Sequence, residues 1–92
     1  MESETSMQDR IESKIKEGFK DLEFFHLKDQ SDGCGAKFFC IVISEEFEGL
    51  KLLDRQRKVN DLISDEISEV HALELKTWTP KQWETKKEGL GF

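Results

Sequence analysis

The first part of the chain places apolar residues at helical spacing. The apolar positions are Met7, Ile11, Ile15, Phe19 and Leu22, separated by four, four, four and three residues. Such spacing is typical of one face of an amphipathic helix. Ser6, with Asp9 three positions later, resembles a capping box, and Gly18 weakens the C-terminal end of the helix. The pattern predicts a helix that begins at Met7 and presents this face to a core.

A period-two pattern follows the first helix. Residues 23–28 put Phe25 and Leu27 on one face of a short strand. After the loop DQSDGCG, residues 38–43 are apolar on both faces, which is typical of the most buried strand in a sheet. The turn residues between the two strands predict an antiparallel hairpin with Cys34 near its turn.

Helical spacing returns in the second half of the chain and continues through Ser68. The apolar positions of this middle helix are Leu52, Leu53, Val59, Leu62, Ile63 and Ile67. Residues 70–78 then alternate as a third strand. Thr79 is placed as the N-cap of a last helix, Pro80 suits its first turn, and Trp83 is its apolar anchor.

These elements predict the order α-β-β-α-β-α in a single domain of 92 residues. A strand–helix–strand connection between residues 38 and 78 favours a right-handed parallel crossover. We therefore expect an α+β fold in which a three-stranded mixed sheet carries its helices packed on one face. The ordered core should span about residues 6–85, with residues 1–5 and 86–92 frayed.

Composition limits the cellular compartments and the classes of function that fit this chain. The net charge of −6 opposes non-specific binding to nucleic acid, because the phosphate backbone attracts clustered positive charge. The N-terminus has no apolar segment of a signal peptide and is too acidic for a mitochondrial leader. No apolar run is long enough to span a membrane, and two cysteines six residues apart do not build a disulfide framework. We expect a protein of the reducing cytoplasm or nucleus.

Cysteine and histidine carry the candidate chemistry. The chain has no HExxH, CxxC, GxSxG or P-loop pattern, so we expect no enzymatic catalysis. Cys40 alternates with bulky residues inside a strand and is interpreted as a core residue. Cys34, between two glycines, is either an incidental surface thiol or a soft-metal ligand. His71 opens the third strand as either a structural residue or a ligand or acid–base group, whereas His26 is interpreted as solvated.

The predicted topology brings two of these residues together. If the third strand runs parallel to the second, both strands start at the same end of the sheet, and the loop before Lys37 lies near His71. The thiolate of Cys34 and the imidazole of His71 would then form half of a four-ligand site. Mixed cysteine and histidine ligation is established for [2Fe–2S] centres. Because the chain lacks the other two ligands, a cluster held there requires a partner.

The stretch DRQRK, residues 54–58, supports a second interpretation. Arg55, Arg57 and Lys58 stand near the start of the middle helix and could contact the phosphates of a nucleic acid. The alternative is a solvated helical face on which neighbouring aspartates balance these charges.

Two longer stretches resemble a known family. FEGLKLLDRQRKVNDLISDEI, followed by HALELKTWTPKQW, is similar to the pattern of the BolA family. That pattern is a Phe-x-Gly turn, an Arg-His-Arg helix start, then Val-Asn, and a later His-Ala-Leu, Lys-Thr, Thr-Pro and Trp. The match runs from about residue 9 to about residue 84. SDGCGAKF resembles the branch that carries a cysteine in the hairpin loop, and within it the cytosolic and nuclear members.

The resemblance implies a class II KH-like fold and a protein partner, a monothiol glutaredoxin of the CGFS type. In such a complex the two proteins share a bridging [2Fe–2S] cluster and serve iron–sulfur trafficking or iron-status signalling. Carried over to this chain, the ligands fall on Cys34 and His71. The active-site cysteine of the glutaredoxin and a glutathione thiolate would complete the four.

The surface that docks the glutaredoxin is expected at the start of the middle helix and around the last helix. The residues expected to shape it are Arg55, Arg57, Trp78, Pro80 and Trp83. The two tryptophans are also interpreted as core and helix-anchoring residues rather than as stacking platforms for bases.

One residue departs from the family pattern. Gln56 replaces the histidine of Arg-His-Arg, but that histidine is not a ligand in the pattern carried over, so the predicted site is retained. A KH-like regulator that binds nucleic acid through Arg55, Arg57 and Lys58 is the alternative function, although the GXXG loop that clamps phosphates is absent. A domain with an incidental thiol is a third, and a weak homodimer through Cys34 stays open.

Overall fold

The structure, a computed structural model, describes residues 6–31 and 35–90 of the chain. Its elements in chain order are α1 (Met7–Gly18), β1 (Leu22–Asp29), β2 (Lys37–Ser44), a 3-10 turn (Glu45–Phe47), α2 (Leu52–Leu62), α3 (Ser64–Ile67), β3 (Ala72–Trp78) and α4 (Pro80–Leu90). The order matches the prediction apart from a break in the middle helix. Because α4 reaches Leu90, it includes residues 86–90, which the sequence assigned to a frayed end.

β2 is the central strand of a three-stranded sheet. It runs antiparallel to β1 and parallel to β3, in the order β1-β2-β3. The register pairs Lys37 with Ala72 and Ile43 with Trp78. β2 and β3 therefore start together at one end of the sheet, here called the His71 end, and finish together at the other, the Trp78 end. The predicted α+β class and mixed sheet are confirmed.

Both faces of β2 are covered, each by different helices. Cys40 and Val42 face a core built with α1 and α2, whereas Ile41 and Ile43 face the other way and pack against Trp83 of α4. The prediction that all helices pack on one face is therefore wrong for α4. The reason lies in β2, because a central strand that is apolar on both sides must exclude water from both.

α1 begins as predicted but ends earlier. The Ser6 hydroxyl accepts a 3.1 Å hydrogen bond from the backbone N–H of Asp9 and caps the helix. The helix stops at Gly18, so assigning Phe19 to its apolar face was wrong, since Phe19 has an extended backbone. A Cβ at Gly18 would clash with Leu62 Cδ1, so glycine lets α1 and α2 pack closely at this point.

The middle helix is broken, and its first turn is exposed. The break falls at Ile63, which has φ −118° and ψ 32°. Leu52 and Leu53 are 61% and 59% exposed, so their predicted place on the buried face was wrong. Arg55 already lies level with Thr77, near the end of β3, to whose carbonyl it donates a hydrogen bond. α2 reaches the core only further along, where Val59 is fully buried, and no described part of the chain covers its first turn.

An ion pair between half-exposed Lys14 and buried Glu66 joins α1 to α3. The carboxylate of Glu66 is 1% exposed and accepts a 3.0 Å hydrogen bond from Lys14 Nζ. Burial by itself would raise the pKa of Glu66, but the hydrogen bond from Lys14, a backbone hydrogen bond and the charges of Lys14 and Arg10 outweigh it, so the pKa lies below its ordinary value. The pair therefore holds Glu66 ionised in the folded protein.

Phe47 and Leu53 provide a test of which apolar residues form the core. Phe47 is fully buried and contacts Phe19 edge-on, with ring centroids 5.2 Å apart. Phe47→Ala should lower the free energy of unfolding by about 3–5 kcal/mol, because it leaves a cavity. Leu53→Ala, at an exposed position, should change it by less than about 0.5 kcal/mol. Urea unfolding followed by circular dichroism measures both, and equal losses would contradict the packing described.

Glu66 should also make the stability depend on pH. A carboxyl group whose pKa is lower in the folded than in the unfolded chain stabilises the fold above its unfolded pKa, about 4.3, and loses that contribution as the pH falls through the folded pKa. Glu66→Gln should therefore be less stable than the wild type at pH 7, with a difference that shrinks towards pH 3.

Glu69→Gln is the matched control, since Glu69, which follows α3, forms an exposed ion pair with Arg10 of α1. Its effect at pH 7 should be small. Thermal unfolding across pH 3–7 compares the three proteins. A difference between Glu66→Gln and wild type that stays constant with pH would refute the role of the ionised carboxylate.

Candidate metal-binding end of the sheet

The backbone ties His71 to the segment that precedes β2. The N–H groups of His71 and Ala72 both donate to the carbonyl of Ala36, at 2.7 and 3.2 Å. The start of β3 and the start of β2 are therefore adjacent, as the predicted parallel crossover requires. The side chain of His71 lies on the surface.

Gly35 lies directly against His71. Its φ is +128°, and a Cβ built on it would stand 3.1 Å from His71 Cβ and 3.4 Å from His71 Cγ. Glycine is required there both by the backbone conformation and by the close approach. The other predicted ligand, Cys34, lies outside the described residues, and it precedes Gly35 in the sequence by one peptide bond.

Hydrogen bonds close the hairpin on both sides of its loop. Gln30 N–H donates to the Lys37 carbonyl at 2.8 Å, and Lys37 N–H donates to the Ser31 hydroxyl at 3.0 Å. Hydrogen bonds from Ser31, first through its side chain and then through its N–H, lower the pKa of Asp29. The residues that flank the loop are thus fixed relative to the sheet.

The other cysteine and the other histidine lie away from this end. Cys40 is fully buried, and its burial raises the pKa of the thiol to about 12, which fits the predicted core role. His26 pairs across the sheet with Ile41, on the face that α4 covers, and its ring stands edge-on to Phe39 with centroids 6.4 Å apart. His26 is half-buried rather than fully solvated.

The described residues supply too few donors for a complete metal site. Within residues 6–31 and 35–90, no three histidine, cysteine, aspartate or glutamate side chains are gathered closely enough to hold a metal ion. An exposed imidazole at the end of a sheet can offer one ligand to a metal that is approached from outside. The fit is therefore to a shared centre rather than to an ion enclosed by this chain.

The residues predicted to dock a partner lie at the Trp78 end. Arg55 Nε donates to the Leu50 carbonyl at 2.9 Å, and its Nη1 donates to the Thr77 carbonyl at 3.2 Å and to Gln82 Oε1 at 2.8 Å. From Ala72 to Trp78 the strand rises about 20 Å, at ~3.3 Å per residue. The structure therefore does not bring this set together with His71.

Trp83 lies beneath the surface at the Trp78 end. It is only 7% exposed and stacks between Phe24, at a centroid distance of 4.9 Å, and Trp78, at 6.0 Å. α4 starts with the predicted cap: Gln82 N–H donates to the Thr79 hydroxyl, and Thr79 N–H donates to Gln82 Oε1. The expected roles of Trp83 as core residue and helix anchor are confirmed.

The basic residues of α2 are used in different ways. Lys58 Nζ lies 3.5 Å from Glu46 Oε1 and 5.7 Å from the centre of the Phe19 ring. Gln56, which replaces the histidine of the family pattern, reaches the Leu75 carbonyl at 3.5 Å. Arg57 is exposed. Of the three residues considered for phosphate binding, Arg55 and Lys58 hold parts of the fold together, whereas Arg57 stays on the surface.

Sequence reasoning missed Gly35 and Ala36, which create the contact with His71. The carbonyl of Ala36 and the missing side chain of Gly35 have no signature in side-chain chemistry. A glycine just before a predicted strand could have signalled the positive φ, but not the neighbour that it accommodates.

Comparison with known proteins identifies the family of this chain. The family profile described as BolA-like protein matches residues 19–82. The chain belongs to the BolA family. It is 40% identical to Protein BOLA2 of Arabidopsis thaliana over 79 residues, covering 83% of this chain and 82% of that protein. It is 37% identical to BolA-like protein 2 of Mus musculus over 78 residues, covering 82% and 87% of the two chains.

Solved structures share the BolA fold. A bol-like protein from Babesia bovis superposes with a TM-score of 0.78 at 38% identity, covering 95% of this chain and 99% of that one. Yeast Fra2 superposes with a TM-score of 0.64 at 34% identity, covering 89% and 84%. A bacterial relative, the DNA-binding transcriptional regulator BolA of Escherichia coli, is 33% identical over 85 residues, covering 85% of this chain and 80% of its own length. In the described part of this BolA-family chain, no helix is long and apolar enough to cross a membrane.

Gly35→Ala tests the close approach at the His71 end. An alanine there must adopt a positive φ and place its Cβ against His71, so we expect a loss of about 1–3 kcal/mol in the free energy of unfolding and a shift of the His71 imidazole resonances. Gly89→Ala is the matched control, because a Cβ at Gly89 in α4 meets nothing within 4 Å. It should be neutral or slightly stabilising. A Gly35→Ala protein with wild-type stability and unmoved His71 signals would contradict the geometry.

Proposed function

We propose that this BolA-family protein is a non-enzymatic iron–sulfur adaptor of the cytoplasm or nucleus. It binds a monothiol glutaredoxin of the CGFS type, and the two share a bridging [2Fe–2S] cluster in cluster trafficking or iron-status signalling. The observation that carries the proposal is the exposed His71, which lies against Gly35 at the end of the sheet. Cys34 is joined to that same glycine.

The donor chemistry suits such a cargo. A thiolate and a neutral imidazole are ligands that [2Fe–2S] centres accept, and histidine in place of cysteine raises the reduction potential. His71 and Cys34 would supply two ligands. The active-site cysteine of the glutaredoxin and the thiolate of glutathione would supply the other two. This division explains why the chain itself need not enclose a metal site.

The glutaredoxin must approach the His71 end. The area of the interface determines how far along the sheet its contacts reach. A standard interface covers about 800 Å² on each protein, which is wide enough to span the roughly 20 Å between the two ends of β3. Arg57 could then make direct contact with the glutaredoxin. Arg55, Trp78, Pro80 and Trp83 would shape that surface chiefly by fixing the start of α4.

Nucleic-acid binding is the competing function, because bacterial relatives are described as DNA-binding transcriptional regulators. In this chain, however, Arg55 donates to two backbone carbonyls and Lys58 pairs with Glu46. With Arg55 and Lys58 engaged in this way and a net charge of −6, only Arg57 of the three residues considered stays available to a phosphate backbone. These contacts favour the adaptor.

Cluster loading with the partner tests the proposal. The chain is mixed anaerobically with a CGFS glutaredoxin, iron, sulfide and glutathione, and visible circular dichroism and iron per heterodimer are measured. The wild type should retain a cluster in the heterodimer. His71→Ala and Cys34→Ser should each change the spectrum and weaken retention, because each removes one of the four ligands. His71→Ala should leave the fold intact, since its side chain is exposed.

His26→Asn and Cys40→Ala are the matched controls, one for each residue type. Both replace a potential ligand that lies away from the His71 end, and both should leave the spectrum of the complex unchanged. A double variant, Cys34→Ser with His71→Ala, whose spectrum equals that of the wild type would remove both residues from the site.

A further inference from the structure

Leu52 and Leu53 form an apolar pair on the surface. They are 61% and 59% exposed, whereas the next large apolar side chain among the described residues, Leu90, is 40% exposed. Single exposed leucines are common and need no explanation. Two adjacent ones on the first turn of a helix form a small apolar surface that no other part of the described chain covers.

Positive charge surrounds this pair. Residues 51–58 contain four lysines and arginines and one acidic residue, Asp54, although the whole chain has a net charge of −6. Lys58 is paired with Glu46, and Arg55 is bonded to carbonyl oxygens and to Gln82. Lys51 and Arg57 stay on the surface beside the leucines. The surface is therefore basic and apolar, although the molecule as a whole is acidic.

The helix itself adds to the positive potential. Lys51 is the N-cap residue of α2 and makes no side-chain hydrogen bond to the first turn. The free N–H groups of a helix start carry partial positive charge, and cations placed there are unfavourable. A chain optimised only for its own stability would carry an acidic or hydroxyl residue at this position. Asp54 in the first turn offsets part of this positive charge, and an anionic group from another molecule would offset more of it.

The turn is held rigidly from below. Arg55, on the same turn, is fixed by its three hydrogen bonds to the Leu50 loop, the end of β3 and the cap of α4. A surface that is already ordered loses little conformational entropy when a partner binds. Lys51, Leu52, Leu53 and Arg57 thus form a preorganised surface, here called the leucine surface.

We propose that the leucine surface docks an acidic segment of a partner protein, whose aliphatic side chains pack against Leu52 and Leu53 while its carboxylates face Lys51 and Arg57. The segment is recognised by its chemistry, negative charge beside leucine-like side chains. The surface lies at the Trp78 end, about 20 Å along β3 from His71. Docking there does not depend on a cluster.

A labelled peptide tests the proposal directly. The probe is a fluorescein-labelled synthetic peptide in which a pair of leucines is flanked by glutamates, and its binding to the full chain is followed by fluorescence anisotropy. Leu53→Asp should weaken binding about tenfold or more, because it removes an apolar contact and adds a like charge. Leu90→Asp, at the other exposed leucine, is the matched control and should leave the affinity unchanged.

Charge variants separate the two parts of the recognition. Arg57→Glu should weaken binding and reduce its salt dependence, whereas Lys81→Glu, at an exposed position of α4, should have little effect. Peptides with serine in place of leucine, or lysine in place of glutamate, should not bind. His71→Ala should bind the peptide like the wild type, and Leu53→Asp should still share a cluster with a glutaredoxin, so that failure of one proposal leaves the other standing.

Three results would overturn the inference. The first is no saturable binding of the acidic leucine peptide to the wild type, or equal binding to Leu53→Asp. The second is self-association in sedimentation that Leu53→Asp abolishes, which would make a second copy of this chain the occupant. The third is displacement of the peptide by a DNA duplex at low salt, which would assign the surface to nucleic acid.

Discussion

The parallel pairing of β2 with β3 is the constraint on which the rest of the molecule depends. It aligns the starts of the two strands, so that one carbonyl, that of Ala36, accepts hydrogen bonds from both His71 and Ala72. A parallel pair needs a long crossover, and α2 and α3 supply it by running back along the sheet. The crossover decides which residues meet: the hairpin loop and His71 at one end, and the start of α2 and the cap of α4 at the other.

The central strand imposes a second demand, because it is apolar on both faces. α1 and α2 bury Cys40 and Val42, and Trp83 buries Ile41 and Ile43 on the opposite side. α4 is thus a structural cover as well as a contributor to the surface. The hydrogen bonds of Arg55 connect the two layers, since this side chain begins on α2 and ends at Gln82 of α4.

The two ends of the sheet differ in chemistry in a way that suits two separate contacts. The His71 end offers an exposed imidazole and a tightly closed hairpin, with glycine where the backbone approaches most closely. The Trp78 end offers exposed leucines beside the exposed basic residues Lys51 and Arg57. The two ends therefore present chemically different surfaces about 20 Å apart along β3.

Much of this protein could be predicted from its sequence, and for identifiable reasons. Local periodicity determined the strands and helices, and the apolar faces of residues 38–43 identified the central strand. The caps at Ser6 and Thr79 follow from hydrogen bonding within a few residues, so they too were predictable. The crossover rule placed His71 beside the loop before β2.

Other features depended on contacts between segments far apart in the chain. Gly18 ends α1 where Leu62 approaches, and Leu52 is exposed although its spacing suits a buried face, because no described segment packs over the first turn of α2. α4 covers the face of the sheet on which α1 and α2 leave Ile41 and Ile43 of β2 uncovered. Sequence determined the elements because their energetics are local. Tertiary structure decided which faces are buried and which ends meet, because those energies arise only when distant segments pack.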